Sequence, residues 1–150
     1  RLAWCYGDLG VSIALLSAAH ATGEAGWRAE AVALARSCAA RSNDDARVYD
    51  TAICHGAIGA AHLFNRIGHA TGEAVFTRAA ERWLERALAM RDDQPIAGFP
   101  KHAFTDGGDR WSPDATLLSG AAGVALVLHS MITDVEPAWD RLLLADLAPP

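Results

Sequence analysis

Two of the three cysteines in this sequence stand at matching places, and one of them is followed by a histidine. Cys5 lies in Ala3-Trp4-Cys5-Tyr6-Gly7-Asp8-Leu9-Gly10, and Cys54 in Ala52-Ile53-Cys54-His55-Gly56-Ala57-Ile58-Gly59. Each cysteine therefore sits two residues before a Gly-x-x-Gly. Two thiolates and an imidazole, from Cys5, Cys54 and His55, form a donor set that suits Zn2+. Three protein ligands leave a fourth position open, which distinguishes a catalytic zinc from a structural one. A helix starting just behind a thiol also favours the ligating thiolate. Other readings compete with this one. Cysteine is among the residues most often buried, so both could be core thiols. A Cys5–Cys54 disulfide is a further alternative, disfavoured in a cytosolic protein. Cys38 has no partner pattern and reads as core.

The elements that would bring these side chains together come from a repeat. The two cysteine segments are offset by 54 − 5 = 49 residues, and His20-Ala21-Thr22-Gly23-Glu24-Ala25 recurs at the same offset as His69-Ala70-Thr71-Gly72-Glu73-Ala74. A weaker third copy, Ser119-Gly120-Ala121-Ala122-Gly123-Val124-Ala125-Leu126, keeps the Gly-x-x-Gly. Periods of this size mean stacked supersecondary units. Each unit reads as a helix pair. The first helix follows the glycines and is apolar almost all round, as in Val11 to Ala19, which predicts burial on every side. The second is amphipathic, as in Trp27 to Arg41, with Ala31, Leu34, Ala35 and Cys38 on one face. Gly23 and Gly72 end the connecting turns. The pattern predicts an all-α fold of about three inner and outer helix units, a layered α/α barrel or solenoid. The mouths of its inner helices converge, which places Cys5, Cys54 and His55 within reach of one ion.

Residues Arg91 to Asp114 break the pattern with Pro95, Gly98, Pro100, Gly107, Gly108 and Pro113, and read as a long loop. Pro137 then opens a last helix to about Leu147, ended by Pro149 and Pro150. His20 and His69 read as helix caps, and His62 and His129 as packed or hydrogen-bonded within inner helices. His102 lies in the long loop, where facing a substrate is the lesser of its readings. Trp4 and Tyr6 flank Cys5 at the mouth, with Tyr6 open between core packing and a role at the site.

Composition excludes several classes. The chain has 150 residues, 51% apolar and 21% charged, which is enough for one domain with a real core. Its net charge is −5, and its twelve Arg and single Lys101 form no cluster. Nucleic-acid binding needs such a cluster. No apolar run reaches the roughly 18 residues of a membrane span, and Arg1 to Gly10 do not resemble a signal peptide. An odd number of cysteines argues against a secreted disulfide framework. A cytoplasmic protein is the expectation.

The Trp4-Cys5-Tyr6-Gly7-x-x-Gly10 and Cys54-His55-Gly56-x-x-Gly59 runs resemble the two zinc motifs of the lanthionine synthetase C-like (LanC) cyclases. Asp114-Ala115-Thr116-Leu117-Leu118-Ser119-Gly120-Ala121-Ala122-Gly123 is similar to the last D-x-x-L-L-x-G-x-x-G element of that family. Tyr6 resembles the residue of the free-standing cyclases rather than of fused synthetases, and is a candidate catalytic residue on that ground. The resemblance implies an α/α toroid of which residues 1–150 form the C-terminal part, with the N-terminal remainder of the domain absent. It implies Zn2+ as cofactor on Cys5, Cys54 and His55, and an upstream His and Asp as acid/base groups that no residue here matches. It also implies the activity. A peptide cysteine thiol adds to dehydroalanine or dehydrobutyrine in a dehydrated precursor peptide, closing a thioether ring. A dehydratase and a transporter are the further partners it implies, and through them an association with the membrane.

The local chemistry agrees, since zinc lowers the pKa of a bound thiol and a general acid must then protonate the enolate carbon. The rivals are a glutathione-adding or thiol-binding relative using the same metal, and a non-catalytic helical-repeat binding module. An α/α-barrel glycosidase would need paired carboxylates, and Asp8, Asp106, Asp109 and Asp114 give no convincing pair.

Overall fold

Stretches rich in Ala and Leu, bounded by glycine, fold as two matched helix pairs. The computed structural model describes residues 1–93 and 96–147. The first pair is α1 (Asp8–Thr22) and α2 (Ala25–Ala39), followed by a single turn, α3 (Asn43–Ala46). The second pair is α4 (Ala57–Thr71) and α5 (Ala74–Ala89). Helix starts repeat at the sequence offset: 57 − 8 = 49 and 74 − 25 = 49. After a two-stranded hairpin come α6 (Ala121–Ile132) and a 3-10 helix (Ala138–Leu143).

The turn inside each pair is built identically. Gly23 and Gly72 adopt φ of 76° and 71°, a left-handed conformation that glycine enters without cost. Their N–H groups close the helix on Ala19 and Gly68 carbonyls. Thr22 and Thr71 receive the next N–H, from Glu24 and Glu73, on their hydroxyls. Capping thus falls to glycine and threonine. His20 and His69, read as caps from the sequence, are exposed in the last turns instead.

Helix α4 packs against both α1 and α6, and it alone is buried almost all round. The same expectation fails for α1, which buries Leu9, Ser12, Ile13, Leu16 and Ala19 but leaves Val11 half exposed. Among the described helices it packs chiefly against α2 and, less, against α4. Phe64 of α4, Phe76 and Trp83 of α5 are the largest fully buried side chains. Each removes enough apolar surface from water to stabilise the fold by about 1.5–3 kcal/mol. Cys38 is fully buried in this core, as its sequence context predicts.

Three expectations require correction. The segment read as a long loop contains β1 (Lys101–Thr105) and β2 (Gly108–Ser112), an antiparallel hairpin with Thr105 opposite Gly108. The third unit has no outer helix among the described residues: α6 leads into a one-sided 3-10 segment rather than a helix reaching Leu147. His129 is exposed, not packed. Pro95, Pro149 and Pro150 lie outside the described residues. The fold is otherwise helical, as expected.

Close backbone contacts hold the three helix starts. A Cβ on Gly10, Gly59 or Gly123 would lie 2.0, 1.9 or 2.0 Å from the carbonyl oxygen of Trp4, Ile53 or Leu117, in each case the residue six positions earlier. No side chain fits there. Gly59→Ala should therefore cost about 3 kcal/mol through overpacking, read as a lower midpoint in urea unfolding. Gly26→Ala, on an exposed helical position with open space around it, should instead gain about 0.5 kcal/mol.

Candidate metal centre

Each helix start is preceded by a tight loop, and the loops are stitched to one another. Gly7, Gly56 and Gly120 are the residues just before α1, α4 and α6, all in extended conformation. Two positions earlier stand Cys5, Cys54 and Leu118. The Cys54 N–H donates to the Leu118 carbonyl at 3.0 Å, and the Cys54 carbonyl accepts from Trp4 N–H at 2.9 Å and Cys5 N–H at 3.4 Å. Equivalent residues of successive units are thereby joined through their peptide groups. The result brings Cys5, Cys54 and His55 together, with one donor atom from each inside 4.8 Å of the others.

All three are half-buried, and both cysteines are free thiols. The disulfide and core-thiol readings therefore do not describe this site. Two sulfurs and an imidazole nitrogen at this spacing fit a metal ion, and a thiophilic one in particular. In the metal-free chain the Cys54 thiol is pushed up from 9.0 to about 12, first by burial and then by the Cys5 thiol beside it. A bound cation would reverse the balance, because ligation requires the thiolate.

Asp50 is the residue that sequence reasoning missed. It is buried, and its Oδ2 lies 3.5 Å from His55 Nε2. A ring nitrogen engaged this way leaves Nδ1 as the one available for an ion, the usual carboxylate–histidine–metal arrangement. Asp50 Oδ1 accepts from Ala52 N–H at 3.1 Å, and Oδ2 from His102 N–H at 3.2 Å. Burial alone would raise the Asp50 carboxyl, but His55 and these two N–H donors hold it below its ordinary range. Its carbonyl also caps α4 through Ala57 N–H at 2.8 Å, as Asp114 caps α6 through Ala121 N–H at 2.9 Å. Asp50 and Asp114 both stand six residues before the first glycine of their motif and both accept from the N–H two residues on. The signal was present: the aspartate opening the Asp114 element recurs at Asp50.

The remaining sequence candidates separate. Tyr6 is 91% exposed, so it is not core, and it lines a cleft of about 370 Å³ with Trp4, Cys5, Ile13 and Leu143. Trp4 is half-buried and donates its indole N–H to the Leu143 carbonyl at 2.9 Å. His102 is only 8% exposed and is enclosed by Tyr49, Phe104 and Trp111, not open to a ligand. His62 is buried, with Nε2 at 3.1 Å from Asp140 Oδ2.

Replacing Asp50 by Asn preserves an acceptor for the Ala52 turn but removes the charge behind His55. Metal affinity, titrated with Co2+ as the probe ion, should fall by about 10–100-fold with the helical circular dichroism unchanged. The raised Cys54 value has a pH signature too. A folded value above the unfolded one stabilises below about pH 9 and loses that contribution as pH rises toward 12. In metal-free protein, the melting temperature relative to a Cys54→Ala variant should therefore decline across that window.

Among the described residues, no helix is long and apolar enough to cross a membrane. No curated protein matches the chain. The sequence model of the family described as "Lanthionine synthetase C-like protein" matches residues 1–144. With that match covering nearly its whole length, and with the paired Cys and Cys-His motifs meeting in space, the chain belongs to the lanthionine synthetase C-like protein family.

Proposed function

We propose that this chain carries the zinc site of a cyclase that adds a peptide cysteine thiol to dehydroalanine or dehydrobutyrine, forming lanthionine or methyllanthionine rings. The observation that carries the reading is the convergence of Cys5, Cys54 and His55 donor atoms inside 4.8 Å from equivalent places in a repeat. When bound, zinc supplies the Lewis acidity that makes a substrate thiol ionise near neutral pH. The chain's own residues do the rest of what is assigned here. Cys5 and Cys54 provide two anionic donors, and Asp50 orients the His55 ring. Trp4 and Tyr6 border the cleft on the Cys5 side. In this reading the substrate is a dehydrated precursor peptide, and the protein works in the cytoplasm beside the dehydratase that prepares it and the transporter that exports the product. Protonation of the enolate carbon requires an acid, and no residue of this chain is assigned to it.

His55→Ala tests the proposal. The site sits at a helix mouth, apart from the core of α4 and α5, so helicity should survive. Zinc content of the intact protein should fall from one per chain, and thioether formation on a dehydrated peptide should drop by at least about 100-fold, the upper end of what losing a ligand's supporting partner alone costs. Normal ring formation at full zinc occupancy would remove His55 from the site and the proposal with it. Adduct formation with glutathione, but not with a dehydrated peptide, would assign the centre to a thiol-adding relative instead.

A further inference from the structure

One buried cluster is unused by the chemistry above. His62 and Arg66, one turn apart on α4, both face Asp140 in the 3-10 helix. His62 Nε2 and Arg66 Nε each lie 3.1 Å from Asp140 Oδ2. All three are buried, at 1%, 4% and 0% exposure. Arg66 Nε also donates to the Ala145 carbonyl at 2.9 Å, and its Nη2 to Glu136 Oε1 at 2.5 Å. One guanidinium therefore grips both ends of the segment from Glu136 to Ala145. Trp139 stacks on His62 at 4.8 Å. Among the described residues, neither Asp140 Oδ1 nor His62 Nδ1 has a hydrogen-bond partner. Buried charges are costly to desolvate, and each orphaned buried atom adds to that cost. A cluster of this kind is a poor way to gain stability and a good way to fix one arrangement.

The segment it fixes reaches the thiol centre. The Leu143 carbonyl accepts the indole N–H of Trp4, the residue before Cys5. Leu143 and Leu144 form one wall of the cleft that Cys5 and Tyr6 also line. Leu144 has φ 55° and ψ 26°, a left-handed conformation that disfavours a leucine and persists only where the surroundings enforce it. Here the enforcement is the Asp140 carbonyl accepting from Ala145 N–H and the Arg141 carbonyl accepting from Leu144 N–H, both at 3.1 Å.

We propose that Asp140 is a positioning residue for the thiol centre: held by His62 and Arg66, it sets the C-terminal segment so that Leu143 clamps Trp4 and, with Leu144, walls the cleft beside Cys5. The proposal deepens the cyclase reading, in which that cleft receives substrate, but its test needs neither metal nor substrate. The three cysteines serve as the readout. In metal-free intact protein, each is alkylated by iodoacetamide and its rate followed by peptide mass spectrometry, with fully buried Cys38 reporting global opening. Asp140→Asn should raise the Cys5 rate by about fivefold, the factor for one lost hydrogen bond in an opening equilibrium, while Cys38 stays protected. Trp4→Phe, which removes the indole N–H at the far end of the same linkage while keeping an aromatic ring, should give the same pattern. The double variant should add little beyond the larger single effect, as expected for members of one linkage. An unchanged Cys5 rate in either variant overturns the proposal. So does an Asp140→Asn protein in which Cys38 reacts as readily as Cys5, because the cluster is then merely structural. Zinc content and ring formation of the unaltered protein test the cyclase reading separately.

Discussion

Cys54 is bound to both neighbouring units through its own peptide group. Its N–H is given to Leu118 and its carbonyl receives Trp4 and Cys5, so the backbone of the centre is fixed from two sides before any side chain contributes. This stitching is feasible only because the helix starts approach so closely. The second glycine of each motif lies directly against a carbonyl oxygen, and a Cβ on Gly56 or Gly120 would also meet the carboxylate of Asp50 or Asp114 at 2.6 Å. Glycine here is a requirement of distance, not of conformation, since these residues are extended. The helix pairs behind the mouth supply bulk and rigidity. Arg28 and Arg82 reach across to the Ala70 and Ala39 carbonyls, and Arg36 pairs with Glu73, tying one pair to the other.

On that frame the side chains form a site that is uncomfortable without an ion. Two thiols share a half-buried space, and the buried carboxylate of Asp50 stands behind the imidazole. Burial, and then the Cys5 thiol beside it, oppose ionisation of the Cys54 thiol. A divalent cation held by Cys5, Cys54 and His55 would relieve these tensions: it would replace the thiol protons, balance the paired thiolates, and complete the line from Asp50 through His55.

How much of this was legible in the sequence depends on whether the cause was local. The two helix pairs, their turns and their motif glycines repeat in register, and periodicity exposes them; the third Gly-x-x-Gly is legible from its own motif. The meeting of Cys5 with Cys54 and His55 followed from placing equivalent residues at equivalent helix mouths. What escaped depended on partners distant in sequence. Asp50 looks like any polar loop residue until His55 and the His102 N–H are placed around it. The hairpin was masked by its glycines and prolines, although Asp106-Gly107 between His102-Ala103-Phe104 and Asp109-Arg110-Trp111 is a turn signal. His129 and α1 are less covered than an apolar pattern implies, because burial depends on which neighbours pack there. The knot of His62, Arg66 and Asp140 joins residues more than seventy positions apart, and no spacing rule finds it.

The motif glycines are 49 residues apart between the first and second units, 56 − 7, but 64 apart between the second and third, 120 − 56. The extra 64 − 49 = 15 residues are accommodated by the hairpin region, and the stitch at Leu118 is unaffected. Chain length between mouths is therefore a free variable. Lengthening a connection costs only about 0.6 kcal/mol per doubling in closure entropy, whereas shifting a mouth glycine by one residue would drive a side chain into a carbonyl. Variation has a channel here: the outer connections can acquire new surface, such as the aromatic group of Tyr49, Phe104 and Trp111, within a few residues of Asp50, so long as the His102 N–H that Asp50 accepts is kept.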